Sequence, residues 1–181
     1  MKRIIFILFF LFFINQAQSN EEIINSLKEG GKLVFIRHAL APGGGDPENF
    51  KISDCSTQRN LNQIGIEQSE KIGSFFTENK IPIDQVLSSE WCRCKDTAKY
   101  AFKNYETFSA LNSFFSVKFA KNKNKQIKNL KNYIKNWNGE NNLIFVTHYV
   151  VILEMTNLSV ASGELVITDK NLIYESSIIL D

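Results

Sequence analysis

The chain contains two histidines, and each follows a short apolar segment that is typical of a buried strand. His38 lies two positions beyond the apolar run 33–36, and His148 lies two positions beyond the run 143–146. A single histidine at such a position is more often structural than catalytic. Ligands of α/β proteins bind beyond the carboxyl ends of the strands, so two histidines placed in this way favour one shared site. Imidazole there could act as a nucleophile or as an acid or base.

The arginines indicate what kind of ligand this site would take. The chain has 17 lysines but only four arginines, which suggests that arginine is used where lysine cannot replace it. A guanidinium is permanently charged and presents paired donors that match two oxygens of a phosphate. Arg37 directly precedes His38, and Arg93 lies near the start of a predicted helix. A phosphate site explains these positions better than isolated surface ion pairs do.

Strand and helix patterns alternate along the chain and would position these residues. Strands are predicted at 33–36, 86–87 and 143–146, with late edge strands at 165–168 and 172–173. Helices are predicted at 21–29, 62–79, 91–102 and 126–137. A loop rich in Gly, Pro and Asp covers residues 42–58. This alternation predicts an α/β fold, a three-layer sandwich with a mainly parallel central sheet flanked by helices.

The N-terminus has the pattern of a secretory signal. Lys2 and Arg3 precede an apolar run over residues 4–14, and small residues at Ala17 and Ser19 follow. The run is shorter than the roughly 20 residues that span a bilayer, so a membrane anchor or a buried helix is the weaker alternative. We expect residues 1–19 to be a signal peptide and residues 20–181 to be one domain. The protein would be exported, periplasmic or secreted, with no stable membrane anchor after cleavage.

Charge and cysteine content narrow the function further. Removing Lys2 and Arg3 from the 21 basic residues leaves 19, against 19 acidic residues, so nothing indicates a nucleic-acid partner. Three cysteines in an exported chain predict one disulfide and one free thiol. Cys55 would pair with Cys92 or Cys94, because the latter two point to different sides of a helix. A zinc site is the alternative, but no Cys-x-x-Cys pattern supports it.

Three motifs, taken in order, resemble those of the histidine phosphatase (phosphoglycerate mutase-like) superfamily. The first is Arg37-His38-Ala39 after a strand, which is similar to the family's Arg-His-Gly signature. The second and third are Leu87-Ser88-Ser89 with Arg93 and Thr97-Ala98, and the strand that ends in Thr147-His148. Arg59-Asn60-Leu61, with Gly65 and Gln68, is similar to a segment that carries another phosphate-binding arginine in small members. The resemblance covers residues 32–150 and implies the phosphoglycerate mutase-like fold.

The resemblance also implies roles for these side chains. His38 would be the nucleophile that forms a phosphohistidine, which water then hydrolyses. Arg37, Arg93 and Arg59 would hold the phosphoryl oxygens, and His148 would donate a hydrogen bond to one of them and stabilise the transition state. Phosphoryl transfer depends mainly on positioning and charge stabilisation, so no cofactor or metal is expected.

The sequence departs from the family pattern at two places. Ala39 replaces the usual glycine, a change that the fold should tolerate. Many members have a glutamate after the second motif as general acid, but residues 107–139 contain no carboxylate. Asp46 and Glu90 are the candidates for this role, although a turn residue and a helix N-terminal charge explain them equally well. If neither donates a proton, substrates with good leaving groups would be preferred.

These observations favour an exported phosphatase that acts on a small phosphorylated substrate. A cell-envelope sugar phosphate is one substrate class, by analogy with exported relatives. The alternatives are a phosphohistidine or phosphoprotein phosphatase and a non-catalytic phosphate-binding protein. Residues 118–135 contain seven lysines and no acid, which is typical of the solvated face of an amphipathic helix. Attraction of an anionic substrate or of a lipid surface is the alternative. Nothing in the sequence indicates the oligomeric state.

Overall fold

The structure, a computed structural model, describes residues 20–180. The predicted signal peptide, residues 1–19, lies outside the described residues. Helix α1 occupies residues 20–29, and Gly30 and Gly31 follow it with positive φ angles of 77° and 72°. Glycine adopts such angles without strain, so this pair ends the helix. None of the helices within residues 20–180 is both long enough and apolar enough to cross a membrane.

The rest of the described chain forms six strands and five further helices. The strands are β1 (Leu33–Arg37), β2 (Ile83–Ser88), β3 (Glu106–Thr107), β4 (Asn142–Thr147), β5 (Leu165–Thr168) and β6 (Tyr174–Ile178). The helices are α2 (Gln63–Glu78), α3 (Cys92–Phe102), α4 (Val117–Ala120), α5 (Lys123–Asn136) and α6 (Tyr149–Thr156). Two short 3-10 turns lie at Cys55–Thr57 and Ser109–Leu111.

The strands form one mixed sheet in the order β3-β2-β4-β1-β5-β6. Strands β3, β2, β4 and β1 are parallel, whereas β5 runs antiparallel to both β1 and β6. In the register of β1 and β4, Leu33 pairs with Leu143 and Arg37 pairs with Thr147. The two strands therefore end at the same edge of the sheet.

Helices cover both faces of the sheet, because the central strands are apolar on both sides. Leu33 and Phe35 of β1 pack with α5 and α6, in a core that includes Leu130, Ile134 and Ile152. Val34 and Ile36 face the opposite layer, which includes Leu27 of α1, Ile72 of α2 and Ala98 of α3. The predicted three-layer sandwich with a mainly parallel sheet is confirmed.

Two residues near the start of helix α2, Asn62 and Gly65, determine how the helix begins and how closely it packs. The Asn62 side chain accepts a hydrogen bond from the Gly65 amide at 2.9 Å and caps the helix N-terminus. A side chain at Gly65 would overlap the carbonyl oxygen of Leu40. Glycine at this position therefore allows α2 to approach the loop that follows His38, and this approach shapes the edge where the site lies.

Several predicted element bounds differ from the structure. Strand β2 begins at Ile83, before the predicted 86–87, because Gln85 and its neighbours pair with β4. The late strand predicted at 172–173 is wrong. Those residues lie in a turn, in which the Asp169 carboxylate accepts from the Asn171 and Ile173 amides, and β6 begins at Tyr174.

Strand β5 has the predicted bounds but is not an edge strand, because β6 covers its outer side. Its four residues, Leu165–Thr168, are all buried. Helix α6, strand β3 and the short helix α4 were not predicted. The lysine-rich segment forms two helices, α4 and α5, rather than one, and most of its lysines are exposed.

Candidate active site

Both histidines lie at the carboxyl ends of neighbouring parallel strands, as the sequence predicts. The His38 amide donates to the Thr147 carbonyl at 2.9 Å, which ties the end of β1 to the end of β4. The two imidazole rings are edge to face, with centroids 5.5 Å apart. Both side chains are 3% exposed. A single tetrahedral anion could therefore contact both rings.

The hydrogen bonds of His38 assign its tautomer. Nδ1 lies 2.8 Å from the carbonyl oxygen of Ala39, so this nitrogen carries the proton and donates it. Nε2 therefore has a free lone pair, and it accepts from Arg93 Nε at 3.2 Å. Burial, followed by the positive charge of Arg93, lowers the pKa of His38 to about 3. The neutral form needed for nucleophilic attack is thus the stable form in the folded protein.

A chain of polar side chains orients His148, the N-cap of α6. Asn112 Oδ1 accepts from the Glu90 amide at 2.9 Å, and Ser89 Oγ donates to the same oxygen at 3.0 Å. Because the Ser89 proton is used in that bond, His148 Nε2, 2.9 Å from Ser89 Oγ, is the donor to serine. Nδ1 then carries the lone pair and faces Arg93 Nη2 at 3.5 Å. Burial, followed by the charge of Arg93, lowers the pKa of His148 well below its ordinary value.

Arg93 lies between the two histidines and is only 4% exposed. It belongs to the first turn of α3, whose buried face includes Thr97 and Ala98. The Thr97 hydroxyl accepts from the Ala39 amide at 3.0 Å and thereby ties α3 to the loop after His38. The second motif of the sequence therefore meets the first motif through direct contacts. This arrangement brings a buried guanidinium to the nucleophile.

Asp46 is the counterion of Arg93 rather than a free acid. Its carboxylate oxygens accept from Arg93 Nη1 at 2.7 Å and from Nη2 at 3.2 Å. They also accept from Trp91 Nε1 at 2.9 Å and from the Arg59 amide at 3.2 Å. Burial alone would raise the pKa of Asp46, but the hydrogen bonds and charge of Arg93 lower it overall. An ionised carboxylate with four donors holds no proton to give, so the geometry argues against Asp46 as general acid.

The Glu90 side chain makes its hydrogen bond outside the cavity that contains the two histidines. Its carboxylate accepts from Asn112 Nδ2 at 2.6 Å, and Glu90 is not among the residues that line the cavity containing both histidines. Its contacts place it behind the Ser89–Asn112 pair that orients His148. Glu90 thus supports the site, and its position argues against the predicted role as general acid.

Arg37 and Arg59 line the same cavity as His38. Arg37 Nη1 donates to the Val160 carbonyl at 2.7 Å, whereas Arg37 Nε is buried and has no hydrogen-bond partner within residues 20–180. Arg59 donates to the carbonyls of Ala41 and Gly45. Burial and the charge of Arg93 both lower the pKa of Arg59. The wall of this cavity carries more cations than carboxylates, with three arginines and Lys118 against Asp46 and Glu48, so it favours an additional anion.

The cavity around these side chains has a volume of about 460 Å³ and opens to solvent. Its wall includes Glu48, an exposed carboxylate on the loop after His38 that was not predicted as a site residue. Within residues 20–180, no group of three or more His, Cys, Asp or Glu side chains is arranged to hold a metal ion. The cavity wall presents imidazole, guanidinium, ammonium, hydroxyl and carboxylate groups.

A disulfide joins the site's loop to α3. Cys55 pairs with Cys92, one of the two partners that the sequence allowed, and Cys94 is free and buried. Cys94 Sγ lies 3.5 Å from His148 Nε2. Burial raises the pKa of this thiol to about 12, so it stays protonated. Its role is to pack beneath the second imidazole.

Three further side chains, Ser89, Asn112 and Trp91, belong to the site but were not predicted to have a role there. Ser89 and Asn112 orient His148, and Trp91 both donates to Asp46 and lies edge to face with His148, with ring centroids 5.4 Å apart. Ser89 lies within the second motif, which was a usable signal. Asn112 lies on a separate segment, where its contacts depend on the folded chain.

No protein-family model and no curated protein matches the sequence of this chain. Solved structures do share its fold. The protein histidine phosphatase SixA complexed with tungstate is 14% identical, with a TM-score of 0.57, over 82% of this chain and 96% of that one. Phosphoglycerate mutase from Thermus thermophilus is 13% identical, with a TM-score of 0.57, over 83% and 99% of the two chains.

The alpha-ribazole phosphatase from Shigella flexneri is 14% identical, with a TM-score of 0.57, and the match covers 83% of this chain and 96% of that one. At such low identity, these similarities establish the fold. The chain has the phosphoglycerate mutase-like fold that its three motifs predict.

Proposed function

We propose that this protein is a phosphatase that hydrolyses a phosphorylated substrate through a phosphohistidine on His38. The observation that carries the proposal is the state of this imidazole. Its Nδ1 proton is held by the Ala39 carbonyl, and its Nε2 lone pair faces a cavity lined by Arg37, Arg59 and Arg93. A nucleophile surrounded by cations fits attack on an anionic phosphoryl group.

In the first step, His38 Nε2 attacks phosphorus, the bond from phosphorus to the leaving-group oxygen breaks, and this oxygen takes a proton from water. The arginines balance the charge of the phosphoryl oxygens. Arg93 Nε donates to Nε2 in the free protein, so this donor must move to an oxygen of the substrate as the new nitrogen–phosphorus bond forms. The buried Nε of Arg37, which has no partner within the described residues, is a further donor for these oxygens.

In the second step, water attacks phosphorus, the bond to Nε2 breaks and His38 regains its lone pair. One proton of the water passes to solvent or phosphate. His148 Nδ1 carries a lone pair in the free site, so it supports Arg93 there. A bound phosphate dianion would favour protonation of Nδ1, and His148 would then donate to a phosphoryl oxygen.

The leaving group determines which substrates react well. Asp46 and Glu90 are committed to other contacts, and residues 107–139 contain no carboxylate. Glu48 is the remaining carboxylate of the cavity wall, and it is exposed. A phosphohistidine or phosphoprotein phosphatase is the second candidate, for the case in which Glu48 does not protonate the leaving group, since a good leaving group needs little protonation. The fold shared with a structure described as a protein histidine phosphatase supports this candidate as well.

We further propose that the protein works outside the cytoplasm, in the periplasm or as a secreted protein, and that a cell-envelope sugar phosphate is its substrate class. The Cys55–Cys92 disulfide supports export, because such bridges persist in oxidising compartments. The N-terminal pattern of residues 1–19 supports export independently.

The decisive experiment compares the protein with His38→Ala and His148→Ala on an aryl phosphate. We expect His38→Ala to lose turnover by on the order of 10³-fold or more, because the covalent route is removed. Rapid quenching and mass spectrometry should find a phosphoryl group on His38 in the wild type. The His148→Ala variant, the matched control, should turn over slowly but still carry the label on His38. Equal turnover by His38→Ala, or a label on another residue, would overturn the proposal.

A further inference from the structure

An aromatic ledge extends from the active site towards a second cavity. We define it as Phe50, Trp91 and Phe119. The Phe50 and Trp91 rings are stacked with centroids 5.0 Å apart, and Phe119 meets both edge to face at 5.7 Å and 5.4 Å. Trp91 also meets the ring of His148 at 5.4 Å. The ledge thus begins at the second imidazole and leads away from it.

The second cavity lies beyond this ledge and has a volume of about 430 Å³. All three rings of the ledge, together with Ser113 and Lys118, line both this cavity and the one that contains His38. The two spaces are therefore adjacent parts of one surface depression. Together they have room for a substrate much larger than a phosphate ion.

The charge of the second cavity is one-sided. Its wall, within the described residues, carries Lys118 and Lys125 and no acidic side chain. Asn122 and Asn129 line it as well and are exposed. Lys118 Nζ lies 5.6 Å from the centre of the Phe119 ring, so one cation sits directly on the ledge. Ammonium and amide groups with no acid among them suit a carboxylate or phosphate.

We propose that the two cavities form one substrate cleft for a phosphorylated molecule that carries a second anionic group. The transferable phosphoryl group lies among the arginines, a ring or apolar part lies on the aromatic ledge, and the second anion lies at Lys118 and Lys125. This inference rests on the proposed phosphatase activity and deepens it. It assigns part of the lysine-rich segment to substrate selection, whereas the sequence favoured a solvated helix face over attraction of an anionic substrate.

Phenyl phosphates with an ortho nitro group and a para alkyl chain test the cleft, because the nitro group makes the phenol a good leaving group that needs little protonation. Each chain ends in a carboxylate or, in the matched neutral compound, in a primary amide, and the number of methylenes varies. We expect kcat/KM to favour the carboxylate by roughly three- to tenfold over a limited range of chain lengths, as partly exposed ion pairs contribute modestly. The preference should decline as NaCl is added, because exposed charges are screened.

Two double variants test whether Lys118 and Lys125 cause the preference for the carboxylate. In Lys118→Met/Lys125→Met, the ratio of carboxylate to amide kcat/KM should fall to about one. Lys131→Met/Lys135→Met removes the same charge from exposed positions of α5 outside the cavity and should keep the wild-type ratio. Equal hydrolysis of acid and amide at every length, or a preference that survives in the first variant, would overturn the cleft but leave the phosphatase. Failure of the wild type on every phenyl phosphate would refute the phosphatase, and the cleft with it.

Discussion

The guanidinium of Arg93 lies between both imidazoles and the Asp46 carboxylate. Its Nε faces His38 Nε2, while Nη1 and Nη2 are held by the two oxygens of Asp46. A planar group fixed along one side has little freedom to rotate. Asp46 is therefore a positioning residue, which sets the orientation in which Arg93 meets the nucleophile and the incoming phosphoryl group.

Asp46→Asn tests this role. Asparagine has the same size as aspartate, but only its Oδ1 can accept a hydrogen bond and the side chain has no charge. Arg93 would therefore lose its counterion and one of the two bonds that align it. We expect kcat/KM to fall by roughly 10- to 100-fold, the range for a lost hydrogen bond to a charged group. The decrease should appear in kcat as well as in KM, because a misaligned Arg93 also stabilises the transition state less.

Asp54→Asn is the matched control for this prediction. Asp54 lies on the same loop and accepts from Ser56 outside the cavity. It should retain nearly full kcat/KM. Wild-type kinetics in Asp46→Asn would show that the ion pair does not orient Arg93.

At the scale of elements, the connection between β1 and α2 is held against the start of α3. Cys55 is bonded to Cys92, and Gln58 Oε1 accepts from the Cys92 amide at 2.9 Å. Arg93 Nη1 also approaches the Arg59 carbonyl at 3.4 Å. These contacts attach the loop that carries Asp46 and Arg59 to the helix that carries Arg93. The disulfide thus belongs to the construction of the site.

Cys55→Ser/Cys92→Ser should lower both stability and activity. The bridge joins two cysteines with a sequence separation of 37. Its removal gives the unfolded chain more conformational freedom, which lowers the free energy of unfolding by roughly 4 kcal/mol. A freer loop would place Asp46 and Arg59 less accurately, so kcat/KM should fall too. Denaturant unfolding and steady-state kinetics measure the two effects.

Treatment with a thiol reductant is the control for the disulfide variant. Reductant should lower the stability and activity of the wild type towards those of the double variant, and it should change the variant little. If the wild type were unaffected under conditions where free thiols confirm reduction, the bridge would have no role in the site.

For the molecule as a whole, the buried histidines couple folding to pH. Burial lowers the pKa of His38 to about 3 and that of His148 well below its usual value, whereas both titrate near 6.5 in an unfolded chain. Below about pH 6.5, the unfolded chain binds protons that the folded protein excludes. The contribution of the two histidines to the free energy of unfolding therefore decreases as the pH falls from 6.5 towards 3.

The slope of this decrease is measurable. Each histidine that stays neutral should reduce the free energy of unfolding by roughly 1.4 kcal/mol per pH unit below its unfolded pKa. Urea unfolding of the wild type and of His38→Gln between pH 7.5 and 4.5 would detect it, and the variant should lose less stability on acidification. The stabilisation from ionised Asp46 is lost only at lower pH, because its folded pKa is depressed. Parallel curves for the two proteins would contradict the buried neutral state of His38.

The sequence predicted the central strands correctly, and the elements that it did not predict have weak or ambiguous local patterns. The apolar runs that end before His38 and His148 identified the two central strands, because a strand buried on both faces is apolar throughout. The same rule does not separate a buried strand from a buried helix, so α6 (Tyr149–Thr156), which is rich in apolar residues, was not recognised. Strand β6 is half exposed and polar at Glu175, and its local pattern is weak.

The sequence alone determined that two histidines and an arginine would meet, since parallel strands end at one edge of the sheet and the chain places these residues at strand and helix ends. Only the tertiary structure decided the pairings: Asp46 with Arg93, 47 positions away, and Cys55 with Cys92 rather than Cys94. The chain of contacts from Asn112 through Ser89 to His148 was decided in the same way. Such pairings depend on distances and directions between segments remote in sequence, and residue type and spacing do not specify these.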